Sequence, residues 1–380
     1  VWWRFLAVTI LNLIYRIIDM SDITFKMTVA TNVGLVRSNN EDNFIVCLNL
    51  DEANNWFAPL SPDEVFSLGK NGCVMVVADG MGGMNAGEVA SEIAINSIKD
   101  SYSAVKDFSK IVDCSNHIET FMKKIIVVAD TAIKKRVKED SSTQGMGTTI
   151  VIAWVVEDVV HVAWCGDSRA YLFNRKSGLS RLSNDHSYVQ ELVDTGKLDP
   201  ELAFDHPNSN IITRSLGDSP VKAQPDYVCK RLSVGDYILL CTDGLCGLCR
   251  DEEIMRVLEQ EYPSIEDYRN KLFDAAFEAG GYDNVTIALF ECMKVKETVL
   301  ANTIAPTDKS KKKQKEQVDG TESATENSDS NTKKPKRVFL WIVVILLLLL
   351  IVAAVVAYYC GIVSIDDAKN ITFNLNSISL

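Results

Sequence analysis

Two apolar runs in this chain end on the same dipeptide. "VMVVADG" covers Val74 to Gly80, and "YILLCTDG" covers Tyr237 to Gly244. Each is short, rich in β-branched or aliphatic residues, and apolar at consecutive positions, which is the pattern of a strand buried on both faces. Each therefore delivers an aspartate, Asp79 or Asp243, at the end of a buried strand. After Asp79 the chain turns through Gly80, Gly82, Gly83 and Gly87, where the backbone can approach something closely. Val89, Ala90, Ile93, Ala94 and Ile98 then follow at helical spacing.

The same reading predicts strands over 27–33, 43–48, 73–78, 148–156, 159–164, 170–174, 226–232, 237–242 and 285–291. Helices are expected over 86–103, about 114–138, 188–195, 251–260 and 265–279. Strands come in runs rather than alternating one-for-one with helices, so antiparallel sheets with helices packed outside are expected, not a doubly wound parallel sheet. The polar, irregular stretch from Ser183 to Gly217 reads as a surface flap.

Further acids sit at strand ends. Asp283 follows the Gly280-Gly281 pair, a helix C-cap signal, and precedes "NVTIALF". "GLVRSNNEDNF" places Arg37, Glu41 and Asp42 at the head of another strand, and "WCGDSRAYLF" puts Asp167 in a tight turn between two strands. Taken singly, each acid is a turn residue. Taken jointly they form a metal site, because clustered carboxylates cannot all stay ionised without a cation. Oxygen-only ligands select hard ions, Mg²⁺ or Mn²⁺. An adjacent arginine would bind phosphate oxygens in two-pronged fashion.

Composition divides the rest of the chain. The whole chain is 47% hydrophobic, and the unit 22–298 is long enough to bury a substantial core. From 301 to 337 almost nothing large and apolar occurs, and this reads as a charged, disordered linker. "VFLWIVVILLLLLIVAAVVAYY" then runs without charge, glycine or proline. As a helix it would reach roughly 33 Å, enough for a hydrocarbon core of about 30 Å, so 338–360 is expected to span a membrane and 361–380 to form a short extracytoplasmic tail. "KKPKR" immediately before the span places the catalytic unit on the cytoplasmic side. Residues 1–21 are apolar but carry Arg4, Asn12 and Arg16; they are read as an over-extended start rather than a signal anchor. A net charge of −12 with no basic cluster in the folded part argues against a nucleic-acid partner. The ten cysteines show no disulfide spacing, and Cys241, Cys246 and Cys249 lack the partners a zinc or redox site needs. They are expected to be reduced, mostly buried thiols.

In order along the chain, "VRSNNED", "VADGMGG", "GTT", "WCGDSRAYL", "DHS", "TRSLGD", "TDGL" and "GGYDNVT" resemble the metal-dependent serine/threonine protein phosphatases of type 2C in their compact bacterial form. The resemblance covers nearly all of residues 27–292. It implies an α+β fold, a four-layer α-β-β-α sandwich with two central, mainly antiparallel sheets, here followed by one C-terminal transmembrane helix. It implies two Mn²⁺ or Mg²⁺ ions, with a third, weaker one. By motif position Asp79 would bridge both metals, the Gly80 carbonyl would bind one, and Asp243 and Asp283 the other. Glu41 and Asp42 would hold metal-bound waters, Arg37 the substrate phosphate, and Asp167 the third ion. His186 and Asp218 match family positions near the flap and are read as structural. Where animal members carry a histidine proposed as general acid, this chain has Met81, so no acid is assigned; His161 reads as a core histidine.

The function implied is hydrolysis of phosphoserine and phosphothreonine in proteins by a water bridging two metal ions. The competing reading is a membrane-tethered pseudophosphatase that binds without chemistry; intact Arg37, Asp79, Asp243 and Asp283 argue against it. A phosphatase dedicated to one regulator is a third reading, made less apt by the single span. By family analogy, partners are phosphoproteins and a membrane Ser/Thr kinase with its substrates.

Overall fold

A computed structural model describes residues 23–52, 56, 64–82, 86–218 and 220–295. The extension 1–21, the linker 301–337, the span 338–360 and the tail 361–380 lie outside the described residues. Among the described residues no helix is long and apolar enough to cross a membrane.

The strands are β1 (Thr24–Asn32), β2 (Asn43–Cys47), β3 (Phe66–Ser67), β4 (Cys73–Ala78), β5 (Gly80–Met81), β6 (Gly147–Thr148) and β7 (Ile150–Val156). They continue as β8 (Val159–Cys165), β9 (Arg169–Asn174), β10 (Gly178–Arg181), β11 (Asp226–Arg231), β12 (Tyr237–Cys241) and β13 (Val285–Lys294). The α-helices are α1 (Gly87–Ser103), α2 (Ser115–Glu139), α3 (Tyr188–Asp194), α4 (Pro200–Ala203), α5 (Asp243–Cys246), α6 (Asp251–Glu259) and α7 (Ile265–Glu278).

One sheet has the order β10-β9-β12-β13-β1-β3 and the other β11-β8-β7-β4-β2. Neighbouring strands in both are antiparallel. The doubly apolar strands explain the layering. In β4, Val74, Val76 and Ala78 join the core under α1 and α2, whereas Cys73, Met75 and Val77 join the core between the sheets. In β12, Ile238 and Leu240 face the other sheet, and Tyr237, Leu239 and Cys241 face α6 and α7. Three cores separate four layers, the α-β-β-α sandwich expected from the sequence. Each fully buried Val, Leu or Ile contributes on the order of 1.5–3 kcal/mol, so the three cores carry most of the fold's stability.

One sequence expectation changes. The strand predicted over 148–156 is broken at Thr149, whose N–H donates to the Asp79 carbonyl (2.8 Å) and whose Oγ1 accepts from the Asp79 N–H (3.2 Å). Thr149 lies directly opposite Asp79 in the register that pairs β4 with β7 and β5 with β6, so its N–H bond continues the ladder; the break comes where the Asp79 N–H takes the Thr149 hydroxyl rather than its carbonyl. The turn around Asp167 joins two strands as expected, and those strands, β8 and β9, belong to different sheets. Strand periodicity reports a reversal but not which sheet receives the next strand.

The predicted flap is a long excursion between β10 and β11 that carries the short helices α3 and α4. It is tied down by the Thr148–Leu216 bridge, by Trp164 Nε1 donating to the Asn184 carbonyl (2.7 Å), and by buried Asp130 of α2. Asp130 accepts from the Gly217 and Ala223 N–H groups at 2.9 and 3.1 Å.

Candidate metal centre

Strand register brings the acids to one end of both sheets. In the second sheet Asn43 pairs with Ala78 and Ile150 with Cys165, so Asp42, Asp79 and Asp167 emerge together. In the first sheet Cys241 pairs with both Ile287 and Arg169, and Asn32 with Val285. This places Asp243, Asp283 and the 33–41 loop at one edge, and Asp167, between Cys165 and Arg169, joins the two sets. All eight sequence-predicted positions, Arg37, Glu41, Asp42, Asp79, Gly80, Asp167, Asp243 and Asp283, converge there.

Each acid has a local anchor. Asp42 is buried, with Oδ2 accepting from Thr286 Oγ1 (2.7 Å) and Thr242 Oγ1 (2.9 Å). Its Oδ1 is buried without a hydrogen-bond partner, as is Oδ1 of Asp167. Asp283 Oδ1 accepts from the Asn284 N–H at 2.8 Å, while Oδ2 takes Arg37 Nη2 at 2.7 Å. The Gly80 N–H donates to the Glu41 carbonyl (3.2 Å), and Ser91 Oγ of α1 donates to the same carbonyl (2.7 Å). Glycine is required at 80 by backbone packing: a Cβ there would lie 2.3 Å from the Gly87 carbonyl and 2.5 Å from that of Glu41. The sequence reading expected a close approach at these glycines; at this position it is the approach of three backbone segments.

The electrostatics are those of a crowded acid cluster. Burial first, then Asp243, Asp42, Asp167 and Asp283, push the Asp79 carboxyl well above the usual carboxylate range. Burial raises Asp42 to about 7 against the pull of its two threonine hydroxyls. Asp167 rises to about 8 through burial and then Asp243 and Asp185. Asp243 rises to about 6 through burial and Asp283, opposed by a hydrogen bond to Asp79 and by Arg37 and Arg169. Burial also raises Glu41, offset by Arg37. Such a set holds protons it would surrender to a cation. The all-oxygen donors and the two orphaned buried oxygens fit Mn²⁺ or Mg²⁺. The set is spread rather than closed. Among the described residues, three side-chain donors within 4.8 Å of one another occur at Asp113, Cys114 and His117 on the exposed start of α2, not among these acids.

Several supporting residues were not assigned from the sequence. Asn284 is buried; its Nδ2 donates to the Val33 and Asn39 carbonyls, both at 2.9 Å, and its Oδ1 accepts from the Glu41 N–H at 2.8 Å. It thereby pins the whole Arg37 loop. Thr242 and Thr286 hold Asp42, and Thr149 Oγ1 meets Ser168 Oγ at 2.7 Å. Arg169 lies beside Asp167 in an extensive ion pair with Asp185. The available signal was motif membership: each of these residues lies within a quoted motif, and Asn284, Thr242 and Ser168 stand directly next to an acid.

The histidines stay outside the cluster. His161 is a core residue with Nδ1 2.6 Å from Tyr227 Oη, and burial lowers it to about 4. His186 Nδ1 accepts from the Gly166 N–H (3.1 Å), so the ring shapes the turn that carries Asp167. The Asp218 carboxylate accepts from Ser215 Oγ within the flap. Cys241, Cys246 and Cys249 are buried free thiols, and burial raises Cys249 to about 12.

Residues 34–285 match protein phosphatase 2C. The chain is 33% identical to the serine/threonine phosphatase stp of Listeria welshimeri over 261 residues, covering 69% of this chain and 93% of that protein. The crystal structure of the serine/threonine phosphatase Stp1 from Staphylococcus aureus aligns with a TM-score of 0.61 at 33% identity, over 71% of this chain and 96% of that one. A structure of the PstP catalytic domain in complex with two manganese ions aligns at 0.56 and 27% identity, over 72% of this chain and all of that one. With its strand-end acids, its two facing antiparallel sheets and these relatives in agreement, the chain belongs to the protein phosphatase 2C family.

Proposed function

We propose that this chain is a protein phosphatase that hydrolyses phosphoserine and phosphothreonine in proteins, held at a membrane with its catalytic domain in the cytoplasm. The observation that carries the reading is the convergence of Arg37 with six acids where the two sheets meet. The similarity to named serine/threonine phosphatases over 93% of their length supports it.

Asp79, the Gly80 carbonyl, Asp243 and Asp283 would hold two Mn²⁺ or Mg²⁺ ions, with Glu41 and Asp42 behind them and Asp167 toward a third. When bound, the ions supply charge neutralisation at the phosphoryl oxygens and an acidified water. The Arg37 guanidinium, exposed and tethered by Asp283, is free on its remaining edge to grip phosphoryl oxygens. Buried Asp42 keeps one oxygen committed to Thr242 and Thr286 and turns the other to the centre. Met81 offers no proton, and no histidine among the described residues hydrogen-bonds to an acid of the cluster, so the general acid stays unassigned.

The membrane placement rests on the uncharged run from Val338 to Tyr359 and on the bases of "KKPKR" before it. By family analogy a membrane Ser/Thr kinase and its targets would supply the phosphoproteins. The deciding assay is release of phosphate from phosphothreonine peptides by the full chain with Mn²⁺, with EDTA as the control. Full activity in excess EDTA would sink the metal-dependent reading.

A further inference from the structure

Beside the centre lies an apolar lip that the chemistry just described does not use. Val33, Leu35, Val36 and Tyr282 are exposed large apolar residues within two short segments, and the last three are each more than 60% exposed. The segments are strapped together. The Leu35 N–H donates to the Gly281 carbonyl at 2.8 Å, and Asn284 Nδ2 holds the Val33 carbonyl. A Cβ on Gly34, which sits at φ +81°, would lie 2.1 Å from the Asp283 carbonyl, and one on Gly281 would lie 2.8 Å from Leu35 Cγ. A Cβ on Gly280 would lie 2.3 Å from the Tyr282 ring, so that ring lies over the glycine. A loose loop would fold such side chains inward; the strap keeps these facing water. Isolated exposed apolar residues need no explanation, but a fixed group flanking a binding site marks an interaction surface.

We infer that the Leu35–Val36–Tyr282 lip docks the substrate segment itself, taking an apolar side chain next to the phosphorylated serine or threonine. The inference rests on the phosphatase reading above. Continuity carries it: Val36 precedes Arg37, Tyr282 precedes Asp283, and Arg37 and Asp283 are ion-paired. With consecutive Cα atoms about 3.8 Å apart, a phosphoryl group on Arg37 puts the neighbouring peptide residues within about 4–8 Å, over the lip. An apolar pocket contact of this size is worth about tenfold in selectivity.

The test compares kcat/KM of the full chain on two phosphothreonine peptides that differ only in carrying leucine or serine beside the phosphoresidue. Wild type is expected to prefer the leucine peptide by about tenfold. Leu35→Ser and Tyr282→Ser should each erode that ratio, while Leu35→Met retains it. Equal rates in wild type, or a preference unchanged in both serine variants, would overturn the docking inference. Self-association abolished by Tyr282→Ser with the peptide preference intact would assign the lip to a second copy and overturn it as well. Hydrolysis of p-nitrophenyl phosphate by wild type reads the phosphatase reaction separately. Its absence would fail that reading, whereas its presence without a flank preference fails only the lip.

Discussion

Arg37 Nη2 stands 2.7 Å from Asp283 Oδ2, joining the residue assigned to substrate phosphate to a residue assigned to metal. The pair is half exposed on the arginine side, so its energetic worth is small, roughly 0–1 kcal/mol. Its value is positional: it aims the guanidinium along the mouth of the acid cluster. Arg37→Ala is expected to raise KM at least about tenfold with a smaller change in kcat, the signature of lost binding common to ground and transition states. Steady-state kinetics on a phosphothreonine peptide checks this. A collapse of kcat at unchanged KM would instead place Arg37 on the transition state alone.

Asp79→Asn and Asp243→Asn should each remove activity by at least about a hundredfold while the fold persists, since both side chains belong to the proposed ligand set. In EDTA the variants should melt no lower than wild type, because each replaces an acid whose ionisation burial and the neighbouring carboxylates oppose. The rise in Tm that Mn²⁺ gives wild type should shrink in both. Thermal melts with and without Mn²⁺ separate loss of a ligand from loss of structure.

Asn284→Ala should cost about 1–3 kcal/mol, because it strands the Val33 and Asn39 carbonyls and the Glu41 N–H in a part-buried setting. Urea unfolding measures the loss. Activity should fall further than stability predicts, since the same three bonds fix Arg37, Glu41 and Asp42.

His161 makes the fold acid-sensitive. Its folded pKa, about 4, lies below the ordinary value of 6.5, so the unfolded chain binds the extra proton between those limits. Stability from this group is complete above about pH 6.5 and is lost as pH falls toward 4. His161→Gln should therefore gain on wild type by up to about 3 kcal/mol between pH 7 and pH 4. A constant difference between the two across that range would show that His161 does not titrate with unfolding.

The membrane proposal predicts that protease added to intact, wall-stripped cells leaves the catalytic domain uncut and trims only residues after the span. Digestion of the domain would reverse the orientation read from Lys333 to Arg337.

Local sequence determined the pieces. The run Cys73–Ala78 is apolar on both faces, so it could only be a central strand with cores on either side, and its Asp-Gly end followed from the glycines. Residue type alone made Asp79, Asp243 and Asp283 candidate oxygen ligands and offered no thiol or imidazole set to rival them. Tertiary structure decided the rest, because register and sheet membership are long-range properties that periodicity does not encode. The turn at Asp167 crosses between sheets only because β9 pairs with β12, some 70 residues later in the chain. Thr149 interrupts a strand because the N–H of Asp79, far away in sequence, takes its hydroxyl in place of its carbonyl. Asn284 reads as an ordinary residue before a strand, and its role appears only when three backbone groups from residues 33–41 arrive around it. A hydrogen bond between distant residues has no local signature, so the supporting shell became visible only in the folded chain.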